Sequence, residues 1–110
     1  MGYHIPGISG VPLPIDLLKR LKDTYPDHFA GLKDSSGDPE FAHQLSDVFA
    51  QDLVVFTGND RLFNQALKLG AKGCITAAAN LFSPELRKVW DANRSGAEDL
   101  STQHRLESLR

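Results

Sequence analysis

Short apolar runs alternate with amphipathic stretches along the chain. Four stretches carry apolar residues every three or four positions with charged residues between them, and this spacing predicts helices. They are residues 14–24, 39–49, 62–69 and 83–92. Three short, mostly apolar runs end at polar or turn-forming residues, and these runs predict strands. They are residues 28–33, 53–56 and 73–77.

Residues at the predicted boundaries support these helices. Asp38 followed by Pro39 suits an N-cap and the first helical position, and Ser83 followed by Pro84 suits the same two positions. Asp60 is predicted to cap the intervening helix, and Gly70 stands where a C′ glycine would end it. The final residues, 97–110, are compatible with a helix but end on a charged, uncapped sequence.

Strands that are apolar on both faces and alternate with helices predict βα units and a parallel sheet buried on both sides. Three complete units are visible, so the fold class is α/β. Residues 3–6 suit the end of an earlier strand whose body is absent from the chain. We therefore expect residues 1–110 to be one domain that is truncated at both ends.

Composition and charge exclude several classes of partner. The chain is 41% hydrophobic and 24% charged, which is typical of one small globular domain. Its net charge of −2 includes no basic run, so neither nucleic acid nor an anionic membrane is a predicted partner. No apolar run is long enough to span a bilayer and no leader sequence is visible, so we expect a cytoplasmic location.

Cysteine and histidine usage predicts neither a reactive thiol nor a metal site. The single cysteine, Cys74, lies among apolar residues and is predicted to be a buried, inert thiol. The four histidines show no metal-ligand spacing, so no metal site is predicted. They are His4, His28, His43 and His104.

Reactive groups in parallel βα folds gather where strands end. Lys33 closes an apolar strand, where desolvation disfavours its ammonium form and favours an amine that can condense with a carbonyl substrate. Tyr3, at the end of the first strand, could then move protons. On pattern alone a strand-end lysine also often extends to solvent or pairs with a carboxylate such as Asp34, and Tyr3 could be an ordinary terminal aromatic residue.

Four motifs, in this order along the chain, favour the catalytic interpretation of Lys33 and Tyr3 over ordinary surface roles. Residues 3–11 read YHIPGISGV, and residues 31–38 read GLKDSSGD. Residues 57–60 read TGND, and residues 73–80 read GCITAAAN. Together they resemble the motifs of the dihydrodipicolinate synthase / N-acetylneuraminate lyase family of class I aldolases. The resemblance covers nearly the whole chain and implies part of a (β/α)₈ barrel, from the end of strand five through strand eight with the helices that follow.

The resemblance also implies roles for individual residues. Lys33 would form the Schiff base with pyruvate or a related 2-oxo acid, and Tyr3 would be the general acid and base. Ile75 would line the pyruvate pocket. Gly58 and Asp60 would lie where some family members touch the second substrate, an aldehyde, and Ser9 would lie in a loop near the reacting end. No cofactor is implied, and the parent protein would form a homotetramer.

One departure from the family pattern bears on the substrate. Dihydrodipicolinate synthases proper place an arginine two residues after the proline of the first motif, where it holds the carboxylate of the aldehyde. This chain has Ile8 there, and isoleucine cannot make that contact. The resemblance therefore favours the lyase or sugar-acid aldolase side of the family over lysine biosynthesis.

A complete (β/α)₈ barrel needs about 250 residues. The first four strands would be missing here, together with the family's Gly-Thr-Thr-Gly-Glu loop that grips the pyruvate carboxylate. We therefore expect the chain alone to be catalytically incompetent. One alternative is a non-catalytic half barrel that self-associates or requires a missing half, because open edges and apolar faces favour association. Another is a small α/β binding module in which Lys33 is an ordinary surface residue.

Overall fold

A four-stranded parallel sheet forms the centre of the computed structural model, which describes residues 1–109. Each strand pairs with the next along the chain. The strands are β1 (Gly2–His4), β2 (Gly31–Asp34), β3 (Val54–Thr57) and β4 (Gly73–Cys74). This order confirms the α/β prediction, because consecutive parallel neighbours require a crossover segment after each strand.

Helices follow every strand. They are α1 (Pro6–Ser9), α2 (Ile15–Thr24), α3 (Pro39–Phe49), α4 (Phe63–Lys68), α5 (Ala79–Arg94) and α6 (Leu100–Ser108), with a 3₁₀ turn at Asp60–Leu62. Two predicted boundaries are confirmed. The Asp38 carboxylate accepts a hydrogen bond from the Glu40 N–H at 2.9 Å, as an N-cap does. Gly70, with φ of +93°, has the left-handed conformation that ends a helix.

Two local predictions are wrong. The segment after β1, expected as a loop, forms the single turn α1, which begins at Pro6 and is closed by Gly10 at φ +69°. The N-cap before the 3₁₀ turn is Asn59 and not Asp60. Asn59 has the extended backbone of a cap, and its side-chain oxygen accepts the Arg61 N–H at 3.0 Å.

The last βα unit also differs from its prediction. The strand β4 contains two residues where five were expected, and α5 begins at Ala79 instead of at Ser83. The helix is not regular, because Phe82 has non-helical angles (φ −124°, ψ 29°). Pro84 follows this kink, and a proline both lacks an N–H and clashes with the preceding turn. The regular part of α5 thus begins after Phe82 with Pro84 in its first turn, as predicted, and the helical turn before Phe82 is the part that was not predicted.

Two apolar clusters lie on one face of the sheet. The first joins β2 to α2 and α3, and Leu32 and Leu18 at its centre are fully buried. The second joins α4, α5 and α6, with Phe63 and Val89 at its centre. Sheet residues Leu32, Val55 and Cys74 contribute to these clusters from alternating strand positions, so the helices cover the face to which these three side chains point.

The opposite face, which we call the inner face, is open. It carries Tyr3, Val54 and Ile75, which are 50%, 37% and 41% exposed. The prediction of a sheet buried on both sides is therefore wrong for residues 1–109, because the helices described here pack only on the Leu32 side. No helix in this part of the chain has the length and hydropathy needed to cross a membrane.

Candidate active site

Strand register aligns one row of residues across the inner face. Tyr3 pairs with Lys33, Lys33 with Phe56, and Phe56 with Gly73. Register partners in a parallel sheet point to the same face, and residues two apart along a strand do as well. Lys33 and Tyr3, thirty positions apart in sequence, are therefore neighbours in space at the carboxyl ends of their strands.

The Lys33 amine lies against the Tyr3 ring. Its Nζ is 4.2 Å from the ring centroid, within the range of a cation–π contact, and the lysine side chain is half-buried. Pairing with Asp34, the alternative that pattern allowed, does not occur. Asp34 points to the helix side, is 8% exposed, and accepts hydrogen bonds from the N–H (3.0 Å) and hydroxyl (2.7 Å) of Ser36.

Polar neighbours lower the pKa of Tyr3. The largest cause is a hydrogen bond with the Ser35 side chain, followed by a hydrogen bond with Lys33 and the positive charge of that lysine. Slight desolvation acts in the opposite direction and is outweighed. The phenolate is therefore easier to form here than in an isolated tyrosine, which suits a group that both gives and takes protons.

Sequence reasoning gave Ser35 no role, although a signal was present. Ser35 stands two residues after Lys33, and the period of two along a strand predicts that both side chains face the same way. What the sequence could not show was that β1 would place the Tyr3 hydroxyl within reach. That contact depends on the register between strands.

Two other predicted residues lie near this row. Ile75 is on the inner face, and its N–H donates to the Thr57 carbonyl at 2.9 Å, which continues the ladder beyond β4. Gly58 follows β3 and lies directly against Ser35. The inner face thus brings together Lys33, Tyr3 and Ile75, with Gly58 at its edge.

Ser9 and Asp60 occupy different surroundings. The Ser9 hydroxyl is engaged within its own loop, where it contacts the Ile5 and Val11 carbonyls at 3.1 Å and accepts the Val11 N–H at 3.2 Å. Asp60 is 1% exposed, and its carboxylate acts electrostatically on Cys74, whose side chain belongs to the helix-side cluster. The structure places Asp60 on that side.

Cys74, in β4, is a further nucleophile on the sheet. Burial, with a smaller contribution from the negative charge of Asp60, raises the pKa of its thiol to about 11. The thiolate is the reactive form, so this agrees with the expectation of an inert cysteine. Within residues 1–109, no three His, Cys, Asp or Glu side chains are grouped to hold a metal ion.

Comparison with known proteins agrees with this geometry. The profile of the Dihydrodipicolinate synthetase family matches residues 1–110. A DapA-like lyase of Chloroflexus aurantiacus is 43% identical over 110 residues, which are 100% of this chain and 36% of that protein. Dihydrodipicolinate synthase from Agrobacterium tumefaciens is 34% identical, with a TM-score of 0.72 over 77% of this chain and 29% of that one.

A more distant structure supports the fold alone. YagE of E. coli K12, a protein of the dihydrodipicolinic acid synthase family solved in complex with pyruvate, has a TM-score of 0.86 and 24% identity. The match covers 94% of this chain and 36% of that one, so the chain spans about a third of the length of the proteins it resembles. Its βα units therefore form part of a (β/α)₈ barrel, and the chain belongs to the dihydrodipicolinate synthetase family.

Proposed function

We propose that this chain supplies the Schiff-base lysine and the proton-transfer tyrosine of a class I lyase that acts on pyruvate or a related 2-oxo acid. The observation that carries the proposal is the contact between the Lys33 amine and the Tyr3 ring on the inner face. Both residues match the family motifs, and the family includes a protein solved with pyruvate bound. An amine beside a phenol of lowered pKa is the pair that iminium formation requires.

The chemistry follows from these two groups. The neutral Lys33 amine attacks the keto carbon of the 2-oxo acid and forms a carbinolamine. The amine nitrogen passes one of its two protons to the carbinolamine oxygen, and Tyr3 gives that oxygen a second proton, so it leaves as water. The nitrogen keeps its last proton in the iminium. The iminium withdraws electrons from the adjacent carbon, so that carbon can lose a proton and attack an aldehyde. The reverse sequence cleaves a carbon–carbon bond.

Other residues would shape the substrate pocket. Ile75, on the same face, would form an apolar wall for the methyl group of pyruvate. Ser9, Gly58 and Asp60 are proposed as contacts of the second substrate on the strength of their motif positions alone. Ile8 is 82% exposed and offers no charge to a substrate carboxylate, which favours an aldehyde without a carboxylate at that position.

Borohydride trapping tests the assignment. Pyruvate and borohydride are added to the 110-residue chain and to a complete barrel that contains it, and the products are analysed by intact mass and peptide mapping. We expect one reduced pyruvate unit on Lys33 in the complete barrel, and little or none on the chain alone, because an open inner face does not hold the 2-oxo acid. Failure to label Lys33 in the complete barrel would refute the Schiff-base assignment.

Matched variants separate the active lysine from the others. Lys33→Arg should abolish the adduct, whereas Lys72→Arg should not, because Lys72 is exposed and bonded to Gln51. Tyr3→Phe should slow trapping by about 10²- to 10⁴-fold, the usual effect of losing a general acid. Tyr25→Phe, a change at the other tyrosine of the chain, should leave trapping unchanged.

A second candidate function has its own support. The open inner face favours a non-catalytic half barrel that associates with another copy, since Val54 and Ile75 expose apolar surface there. Analytical ultracentrifugation of two variants tests this. Val54→Lys should weaken association, whereas Val48→Lys, at a valine on α3 that is 43% exposed against 37% for Val54, should not. A monomeric chain, or an equal effect of the two variants, would exclude association through the inner face.

A further inference from the structure

The loop between β1 and α2 begins and ends at one buried side chain, that of His4. The chain leaves β1 after His4, forms the single turn α1, and returns at Leu13, whose N–H donates to the His4 Nδ1 at 3.0 Å. The Leu13 side chain packs against the first apolar cluster. We call residues 5–12 the first loop. One hydrogen bond to an imidazole therefore closes this loop on the helix side of the sheet.

His4 itself is held firmly on that side. The residue is 5% exposed, and its ring lies against the Phe41 ring of α3, with 4.3 Å between the ring centroids and 33° between the ring planes. A polar ring buried to this extent needs a hydrogen-bond partner, and the Leu13 N–H supplies one. The His4 side chain thus connects β1, α3 and the end of the first loop.

The hydrogen bond also defines the protonation state of the ring. Nδ1 accepts only when it carries no proton, so the imidazole is neutral and its proton is on Nε2. The charged residue that faces His4 across the pairing of β1 and β2 is Asp34, whose carboxylate accepts from Ser36. The residues against the ring from α3 and from the loop, Phe41 and Leu13, do not titrate. A proton on Nδ1 would set one donor against another and break the contact.

The position of His4 bears on Tyr3 through the strand. β1 contains three residues and lies at the edge of the sheet in the part of the chain that the structure describes. Tyr3 is 50% exposed, so its own packing does little to fix its direction. Successive side chains of a strand point to opposite faces. Because His4 is held on the helix side, Tyr3 points to the inner face, where the Lys33 amine lies against its ring.

We propose that His4 is a positioning residue. Its neutral imidazole holds the carboxyl end of β1 on the helix side, and so fixes Tyr3 on the inner face and the first loop at the end of the strand. His4 acts through these two parts and does not touch the substrate. The catalytic meaning of its contacts rests on the proposed function, but the contacts themselves do not.

Three variants separate the acceptor from the aromatic ring. His4→Asn places an amide oxygen as many bonds from the main chain as Nδ1, and this acceptor does not take up a proton. His4→Phe keeps a ring against Phe41 and removes the acceptor. His43→Phe is the matched control, because His43 is exposed on α3. Amide hydrogen exchange at Leu13, measured by NMR on the 110-residue chain, should be about tenfold faster in His4→Phe and unchanged in the other two variants.

Acidification tests the same hydrogen bond without altering the core of the unsubstituted chain. Exchange is followed as the pH falls, and the rates are corrected for the intrinsic pH dependence of exchange. Leu13 should lose protection in the unsubstituted chain and keep it in His4→Asn. Both chains contain Asp34, so a difference between them reports on the imidazole. The same pH response in both chains, or equal protection of Leu13 in His4→Phe and the unsubstituted chain, would overturn the proposal.

Trapping in the complete barrel separates this proposal from the proposed function. There, His4→Phe should slow adduct formation on Lys33 with pyruvate by less than Tyr3→Phe does, and His4→Asn should recover the rate. If Lys33 is never trapped but Leu13 exchange depends on His4, the Schiff-base function is wrong and the contacts of His4 stand. If Lys33 is trapped at the same rate in His4→Phe as in the unsubstituted barrel, His4 does not position Tyr3 and the function stands.

Discussion

Gln103 connects the last helix to the rest of the molecule through its side-chain amide. The residue is 3% exposed. Its Oε1 accepts the Asn64 N–H at 3.1 Å, and its Nε2 donates to the carbonyls of Asp60 at 3.1 Å and Arg61 at 3.0 Å. One amide of α6 therefore satisfies three backbone groups around the 3₁₀ turn and the start of α4, where free N–H groups have no partner within the helix.

Replacing Gln103 by leucine keeps the approximate volume and removes its three hydrogen bonds to backbone groups, together with the longer one, 3.4 Å, to the Glu107 carboxylate. A buried backbone group left without a partner costs about 1–3 kcal/mol, and some water can enter because α6 is close to the end of the described chain. Taking the lower half of that range, about 1–2 kcal/mol, for three groups gives a loss of about 3–6 kcal/mol. Small domains have a total stability of about 5–15 kcal/mol. The variant's α6 should therefore detach, or its whole chain should unfold at a lower urea concentration.

The assay combines urea unfolding, followed by circular dichroism, with amide hydrogen exchange. In Gln103→Leu we expect a lower unfolding midpoint and loss of protection at the Asn64 amide. His104→Leu is the matched control on the next, exposed position of α6 and should change stability by less than about 0.5 kcal/mol. If the two variants lose the same stability, or if the Asn64 amide stays protected, the hydrogen bonds of Gln103 do not hold α6 in place.

Two further predictions concern pH. Because burial raises the pKa of Cys74 to about 11, alkylation of the native chain should be slow at neutral pH and accelerate as pH rises towards that value; equal rates for native and urea-unfolded chains would contradict this. Hydrogen bonds lower the pKa of Glu98, mainly from Lys68, and of Asp99, mainly from the Thr102 N–H, in the segment that leads into α6. Depressed carboxyl pKa values stabilise the fold above the unfolded values, here 4.5 and 3.8, so this contribution should be lost as pH falls through the lower folded values. Glu98→Gln should flatten the acid side of a plot of unfolding midpoint against pH, and an unchanged profile would show that the Glu98–Lys68 ion pair does not contribute.

Local sequence determined most of the helices and strands. The apolar periodicity of residues 14–24 and 39–49 lies within each segment, and so does the Asp38 N-cap, so α2 and α3 could be predicted to within a residue or two. The same reasoning missed the helical turn at residues 79–82, which precedes the predicted start at Ser83. The kink at Phe82 and the helical turn before it depend on packing against the second cluster, which no short window of sequence contains.

The candidate site was likewise predictable in part from the sequence and decided in part by tertiary structure. Lys33 and Tyr3 were found because strand ends and ordered motifs point to them, and their side-by-side placement follows from parallel register. Only tertiary structure decided the contact of Ser35 with Gly58, the bonds of Gln103 to three backbone groups, and the helix-side position of Asp60. The physical reason is range: caps and periodicity act over a few residues, whereas these contacts join positions more than ten residues apart and exist only after the strands and helices have packed.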